Sequence, residues 1–369
     1  MEKSMAKRTT DEIMTRRFYI LNAFVTIVLT GAIFISILEF GTQTWTNRQQ
    51  VALIIPGSKD DIGWNRAQTI GMIGACKEMN YDLLLRDKVS SADNDKIVEE
   101  LAKKGVSLIF FANDTSLASV EKYEKIYPRI RFYAIESTKA QSNISRYTID
   151  YIGLRYASGI LAGLRTKTNR IGYAAPTATA PVMQGINAFT LGVQHVNPEA
   201  QVILVWTGSL DNVSSEQQAV RTLKAERVDI MTYFHNGKTI PEAAEQAGID
   251  YIAFHESYPQ HKHFIGAIET DWEAAYIDIL KIYRRQTYAE HFEDKGLAEL
   301  KLRREKLTLR EKAIYDTTVW QMKRDRQVFH GEIYDRDGIL RCSANEIIGQ
   351  QYLQSQMDWL VKGVRTIGN

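Results

Sequence analysis

Residues 51–86 read VALIIPGSKDDIGWNRAQTIGMIGACKEMNYDLLLR. The opening VALII is an apolar run of strand length, PGSKDD carries turn chemistry, and residues 65–79 repeat apolar positions with the helical period. YDLLLR then supplies a second apolar run. A strand, a helix and a strand in that order form one unit of a parallel sheet, because a parallel return needs a crossover, and the crossover covers a sheet face.

The alternation continues on both sides of this unit. Residues 93–103 lead to SLIFFA, and residues 116–127 lead to RFYAIE. After a helical stretch at 157–166 a second series begins: RIGYAAP, 182–196, QVILVWTG, 215–225, VDIMTYF, 240–247 and DYIAFH. Two successive series predict an α/β protein with two parallel-sheet, Rossmann-like lobes of about 110 residues each, a typical domain size. Ligands of such sheets bind outside the carboxyl ends of the strands. The loops after Ile55, Ala112, Ile135, Trp206, Phe234 and Phe254, and the crevice between the lobes, are therefore the expected site.

Composition narrows the classes of function. The chain has 369 residues, of which 44% are apolar, so it can bury a sizeable core and is not a disordered segment. Lys and Arg number 46 against 44 Asp and Glu, a formal net charge of +2, which gives no general attraction to nucleic acid. Cys76 and Cys342 lie far apart and match no metal-ligand spacing. No nucleic-acid partner, metal or cofactor is expected.

Residues 18–38, FYILNAFVTIVLTGAIFISIL, run 21 positions without a charge. At 1.5 Å rise per residue that run matches a hydrocarbon core of about 30 Å. Lys3, Lys7, Arg8, Arg16 and Arg17 precede it, whereas only Arg48 lies between it and Val51. The positive-inside rule then leaves the first 17 residues in the cytoplasm and everything after about residue 40 outside. A cleaved signal peptide has a shorter apolar region, of about 7–15 residues, and a small-x-small site; here Leu38-Glu39-Phe40 follows. The reading is an uncleaved single-pass anchor in the plasma membrane. A buried core helix fits poorly, because the run is apolar around its whole circumference.

Residues 286–326 differ from the rest. AELKLRREKLTLREKAIYD carries dense alternating charge, with Glu299, Arg303, Arg310 and Asp316 among it, and reads as a solvated helix.

The chain holds no GxSxG elbow, no GxxxxGK[ST] phosphate loop, no GxGxxG fingerprint and no HExxH. No enzymatic role is expected. His255, His261 and His263 cluster in HESYPQHKH, but a polar surface loop explains them as well as a shared metal does. PGSKDDIGWNRAQ, residues 56–68, places Trp64 beside Asp60, Asp61 and Asn65 in a loop that opens a helix. A tryptophan face stacks on a heteroaromatic ring, while carboxylates and an amide read its N–H and acceptor edges. Packing on the helix is the plainer role for Trp64. Trp206 ends the strand QVILVW before the turn at 208–211, and Trp272 opens the helix after GAIETD.

PGSKDDIGWNRAQ, ASGILAGLRTKTNRIGYAAP, PVMQGINAFTLGVQHVNPEAQVILVWTGSLDN, FHGEIYDRDGILRC and MDWLVKGV together resemble the basic membrane protein family, the PnrA-like substrate-binding proteins of ABC importers. The resemblance runs over roughly residues 51–364. It implies the type I periplasmic-binding fold, two α/β lobes joined by three crossovers, with a purine nucleoside or nucleobase between them and an ABC permease as partner. VMQGINAF and DWEAAY are most similar to the adenine-binding branch. By the same resemblance Trp64 is the aromatic that stacks on the base, Asn65 the amide beside it, and Glu136 stands where many members have a base-reading aspartate. Leu210 takes the place of a second stacking aromatic, for which Trp206 is the substitute. Asn236 and Glu256 lie on facing loops of the second lobe. Glu269 and Thr270 stand where nucleoside binders carry a lysine for the ribose, which favours a free base. No cysteine follows the apolar run, so the helix replaces the family's lipid tether.

The expected organisation is a cytoplasmic tail at 1–17, an anchor at 18–40 and a two-lobed binding domain at 41–369. One lobe takes roughly 49–157 and the other roughly 158–256, and 257–369 returns across both. The expected function is a tethered solute-binding protein of an ABC importer. A membrane-anchored sensor using the same lobes is the alternative from another class, and a nucleoside-processing enzyme is a third, weaker one.

Overall fold

The computed structural model describes residues 15–36, 48–112, 122–123, 125–135, 143–287, 291–294, 296–325 and 328–367. Residues 1–49 and 50–369 separate into two units. In the first, helix α1 (Thr15–Ser36) has a mean hydropathy of 2.2 over its most apolar 18 residues, none of which is buried, and it is long and apolar enough to cross a bilayer. Thr26 and Thr30 donate their hydroxyls to the carbonyls of Asn22 and Thr26, both at 2.8 Å, so these polar atoms are satisfied within the helix.

The second unit holds two sheets. The first lobe is built from β1 (Gln50–Ile54), α2 (Trp64–Met79), β2 (Asp82–Arg86), α3 (Asn94–Lys103), β3 (Leu108–Phe111), β4 (Arg131–Ile135) and β5 (Ile144–Ile149). The second comprises α4 (Ile152–Arg165), β6 (Arg170–Ala175), α5 (Ala180–Val196), β7 (Gln201–Trp206), α6 (Val213–Ala225), β8 (Ile230–Tyr233), α7 (Thr239–Ala247), β9 (Asp250–Phe254) and β10 (Phe264–Thr270). The chain then returns to the first lobe with α8 (Trp272–Arg284) and β11 (His291–Asp294). It crosses a third time to β12 (Ala298–Leu302), α9 (Leu309–Asp325), β13 (Ile333–Tyr334), β14 (Leu340–Cys342), α10 (Gln350–Ser355) and β15 (Val364–Ile367). The sheet orders are β11-β5-β4-β3-β1-β2 and β12-β10-β9-β8-β6-β7-β15, parallel except for β12. This is the two-lobed, periplasmic-binding-like α/β fold, with three crossovers between its sheets.

The strands form because they can be buried on both faces: Val51, Ala52, Leu53 and Ile54 are all 0% exposed. Small residues let the helices approach. A methyl group on Gly159 of α4 would lie 1.9 Å from the Phe189 carbonyl oxygen of α5, a separation only glycine permits. Two crossovers are tied together by the Tyr151 and Thr270 hydroxyls, 2.8 Å apart.

The charged segment corrects the sequence reading. Residues 298–302 are not helix but strand β12, antiparallel to β10, and α9 starts only at Leu309. AELKL alternates half-buried and exposed side chains, a period of two that the density of charge obscured. Its ion pairs belong to surface geometry: Arg304 pairs with Asp316 at 2.6 Å and Arg303 with Glu305 at 2.7 Å. The helix expected at 116–127 falls largely outside the described residues.

Candidate functional site

Both sheets have the order in which the second strand of the series lies outside the first and the third lies inside. The switch points are therefore β1/β3 in the first lobe and β6/β8 in the second. Trp64 stands at the first of them. Its loop leaves β1, and its indole N–H donates to the carbonyl of Ala112, just past β3, at 2.9 Å. That bond fixes the ring plane where the loops of both lobes meet.

The loop before Trp64 is held by its own polar groups. Asn65 is buried; its side-chain carbonyl accepts from the Gly57 N–H at 3.2 Å and its amide donates to Asp61. Asp61 also accepts the Arg66 N–H at 3.0 Å. Asn65 is thus a clamp on the loop. Asp60 is exposed.

Trp64 meets His255 of the second lobe edge to face, with ring centroids 5.3 Å apart, and Trp272 of α8 likewise at 5.3 Å. His255 follows β9 with a left-handed φ of 74°, and its N–H donates to the Ile268 carbonyl at 2.8 Å. Burial first, and then the charge of Arg155, hold its imidazole down at about 3, so it is neutral at ordinary pH. Trp272 is 3% exposed and packs in the first lobe's core against Tyr147 and Tyr276. Its indole nitrogen has no partner among the described residues.

Carboxylates gather where the lobes face each other. Asp211 is pushed up by burial and by Asp61 across the cleft, while a hydrogen bond from Asn236 opposes the shift. Glu256 is pushed up by burial; Arg66 opposes this, and Glu269 and Asp61 add to it. Glu269 is paired with Lys301 of β12 at 2.9 Å. The cleft therefore offers hydrogen-bond acceptors to N–H groups and repels anions.

Behind the loop at 207–212, His235 and Glu216 are both buried, 3.7 Å apart. The two His235 ring nitrogens lie 3.1 Å from the Thr207 hydroxyl and 3.4 Å from the Leu210 carbonyl, and so support that loop. Burial lowers His235 to about 4. Burial, and then Asp211, raise Glu216 to about 7.

Of the residues singled out in the sequence, Asp61, Trp64, Asn236, Glu256 and Glu269 come together between the lobes. Leu210 lies exposed on the facing loop, and Trp206 packs on the second lobe's core. Glu136 lies outside the described residues. The three histidines do not converge: His261 bonds Tyr251 at 2.6 Å and His263 bonds Asp250 at 3.0 Å, while His255 faces Trp64. Among the described residues no group of three or more His, Cys, Asp or Glu could hold a metal. Sequence reasoning missed Arg155 and Lys301, and weighed His255 only as a metal ligand or a polar surface-loop residue. A lone arginine in the apolar run GLRYASGILAG was the one available signal.

The model of the ABC transporter substrate-binding protein PnrA-like family matches residues 48–329. The chain belongs to that family, whose function is solute binding. A purine-binding protein of Brucella abortus is 27% identical over 242 residues, 63% of this chain and 68% of that protein. A putative ABC transporter glucose-binding protein of Haloferax volcanii is 26% identical over 192 residues, 51% of this chain, and the match spans about half of that protein, 49%. The fold is shared with a solved transcriptional activator of the comK gene from Bacillus halodurans, at a TM-score of 0.65 and 17% identity, over 75% of this chain and 99% of that one.

Proposed function

We propose that this chain is the membrane-tethered, extracytoplasmic receptor of an ABC importer, and that its lobes close over a purine base or nucleoside. The observation that carries the reading is Trp64. It is a fixed indole at a switch point, half-buried between the lobes, with carboxylates of both lobes around it as acceptors for ring N–H and amino groups. The purine-binding relative supports the same ligand class. Asp60, Asp61, Asn65, Glu136, Trp206, Leu210, Asn236, Glu256, Glu269 and Trp272 complete the proposed neighbourhood, with Asn65 and Trp272 acting through packing. Helix α1 would hold the binding domain at the outer face of the plasma membrane, within reach of a permease.

Mass spectrometry of small molecules retained by the purified chain, followed by calorimetry with adenine, adenosine and glucose, tests this. Retention of a purine supports the reading; glucose binding with no purine binding refutes it. The long apolar helix α1 suits a second reading, in which the same lobes, held at a membrane, report a ligand to a membrane partner. Purine uptake that persists after deletion of the gene would favour that one.

A further inference from the structure

Arg155, in the first turn of α4, is 1% exposed. Its Nη1 donates to the Tyr233 carbonyl at 3.1 Å and to the Thr232 hydroxyl at 3.5 Å. Its Nη2 has no partner among the described residues, and no ion pair is formed there. Burial works against its charge, and Tyr173, Tyr151 and Tyr233 oppose that effect. A buried cation with no carboxylate against it among the described residues is expensive, and a role beyond packing would account for it.

Its surroundings show where that role lies. The flat guanidinium sits 3.8 Å from the centre of the Phe254 ring, with Phe234 at 5.5 Å and Tyr173 at 5.8 Å. The Phe254 and His255 rings are 3.7 Å apart, centre to centre, and His255 meets Trp64. A cation, a phenyl ring, an imidazole and an indole therefore form one continuous column from the core of the second lobe to the cleft. His255 is held in this column with a backbone conformation that a β-carbon disfavours, which the packing behind it must enforce.

We propose that Arg155 is a positioning residue for the cleft: packed behind Phe254, it sets the His255 imidazole against Trp64. A neutral imidazole offers one N–H donor and one ring-nitrogen acceptor, a complement to a heteroaromatic edge with a donor beside an acceptor. A protonated one would offer two donors and place a charge against Trp64. His255 is faced by Arg155 and Tyr151 at the head of α4, by Trp64 on α2, by Phe254 on β9 and by Ile268 on β10. Glu256 follows it in the chain and is engaged with Arg66, Glu269 and Asp61. This inference rests on the cleft being the ligand site.

The test is the titration of the His255 ring nitrogens by NMR, on the full chain in detergent with labelled histidine, assigned through His255→Gln. In the wild type the shifts should stay flat between about pH 5 and 8, whereas an ordinary histidine titrates near 6.5. In Arg155→Met the midpoint should rise by about one pH unit or more. Arg155→Lys keeps the charge and loses the flat stack, so His255 should stay neutral while adenine binds about fivefold or more weakly. A wild-type midpoint near 6.5, the same midpoint in wild type and Arg155→Met, or full adenine affinity in Arg155→Lys overturns the proposal. The wild type and the lysine variant decide the matter if Arg155→Met does not fold. Because the titration needs no ligand, a protein that bound no purine would still report on it.

Discussion

Gly63 and Gly237 meet backbone to backbone across the cleft: a methyl group on Gly63 would lie 2.8 Å from the Gly237 nitrogen. Both residues have positive φ, 121° and 79°. The lobes thus touch where neither contributes a side chain. Gly63→Ala should prop them apart and strain the turn, weakening ligand binding by about tenfold or more. Calorimetry together with small-angle scattering checks this; tight binding by a compact alanine variant would show that the contact is dispensable.

Trp64 should supply stacking energy. Base-aromatic stacking contributes roughly 1–3 kcal/mol, so Trp64→Ala should weaken adenine binding by about 5- to 150-fold while leaving the fold intact by circular dichroism. An unchanged affinity would reduce Trp64 to a packing residue.

Glu269 separates base from nucleoside. Its Oε2 is paired with Lys301 at 2.9 Å; the carboxylate keeps an oxygen to accept a hydrogen bond but supplies no donor of its own to a ribose oxygen. Adenine should bind at least as tightly as adenosine in parallel titrations. A nucleoside preference above about tenfold, equivalent to about 1.4 kcal/mol, would show that the site still grips the sugar.

Glu216 makes stability depend on pH. Its carboxyl is raised from 4.5 to about 7, so the native state keeps a proton that the unfolded chain releases. Stability is undiminished below the unfolded value, falls as pH rises from about 4.5 to 7, and is lowest above that. Glu216→Gln should match the wild type near pH 4 and exceed it above pH 7 by up to about 3 kcal/mol in denaturant melts. His235, lowered to about 4, acts with the opposite sign on the acid side and lies 3.7 Å from Glu216, so the comparison is read above pH 7, where that imidazole is neutral in both proteins.

Helix α1 should anchor the protein. Membrane fractions ought to retain the chain through alkaline carbonate extraction, with the first 40 residues present on mass analysis. A mature amino terminus near residue 42 would falsify the tether.

The two parallel series were legible in the sequence because their strands are buried on both faces and their helices keep a strict period; VALII and residues 65–79 became β1 and α2. ISRYTI was missed as β5, since mixed polarity hides a strand, and FIGAIET as β10, an apolar run read only as the lead-in to the helix at Trp272. Trp64 stands out in the sequence because it is an aromatic that closes a polar loop at the start of α2. His255, Arg155 and Lys301 act through neighbours distant in the chain: Lys301 reaches Glu269 only through the antiparallel pairing of β12 with β10. No local pattern encodes such a meeting.

The interleaved path of the chain also bears on biosynthesis. The first sheet receives β11 only after the five parallel strands of the second series have been made, and the second receives β15, residues 364–367, against β7. A polypeptide that emerges amino-terminus first therefore carries open sheet edges for most of its synthesis. Until β15 docks, Val202 to Val205 present an unpaired, apolar edge, the kind of template on which chains aggregate. Trimming residues 364–367 should therefore lower the soluble yield while leaving the cleft as it is.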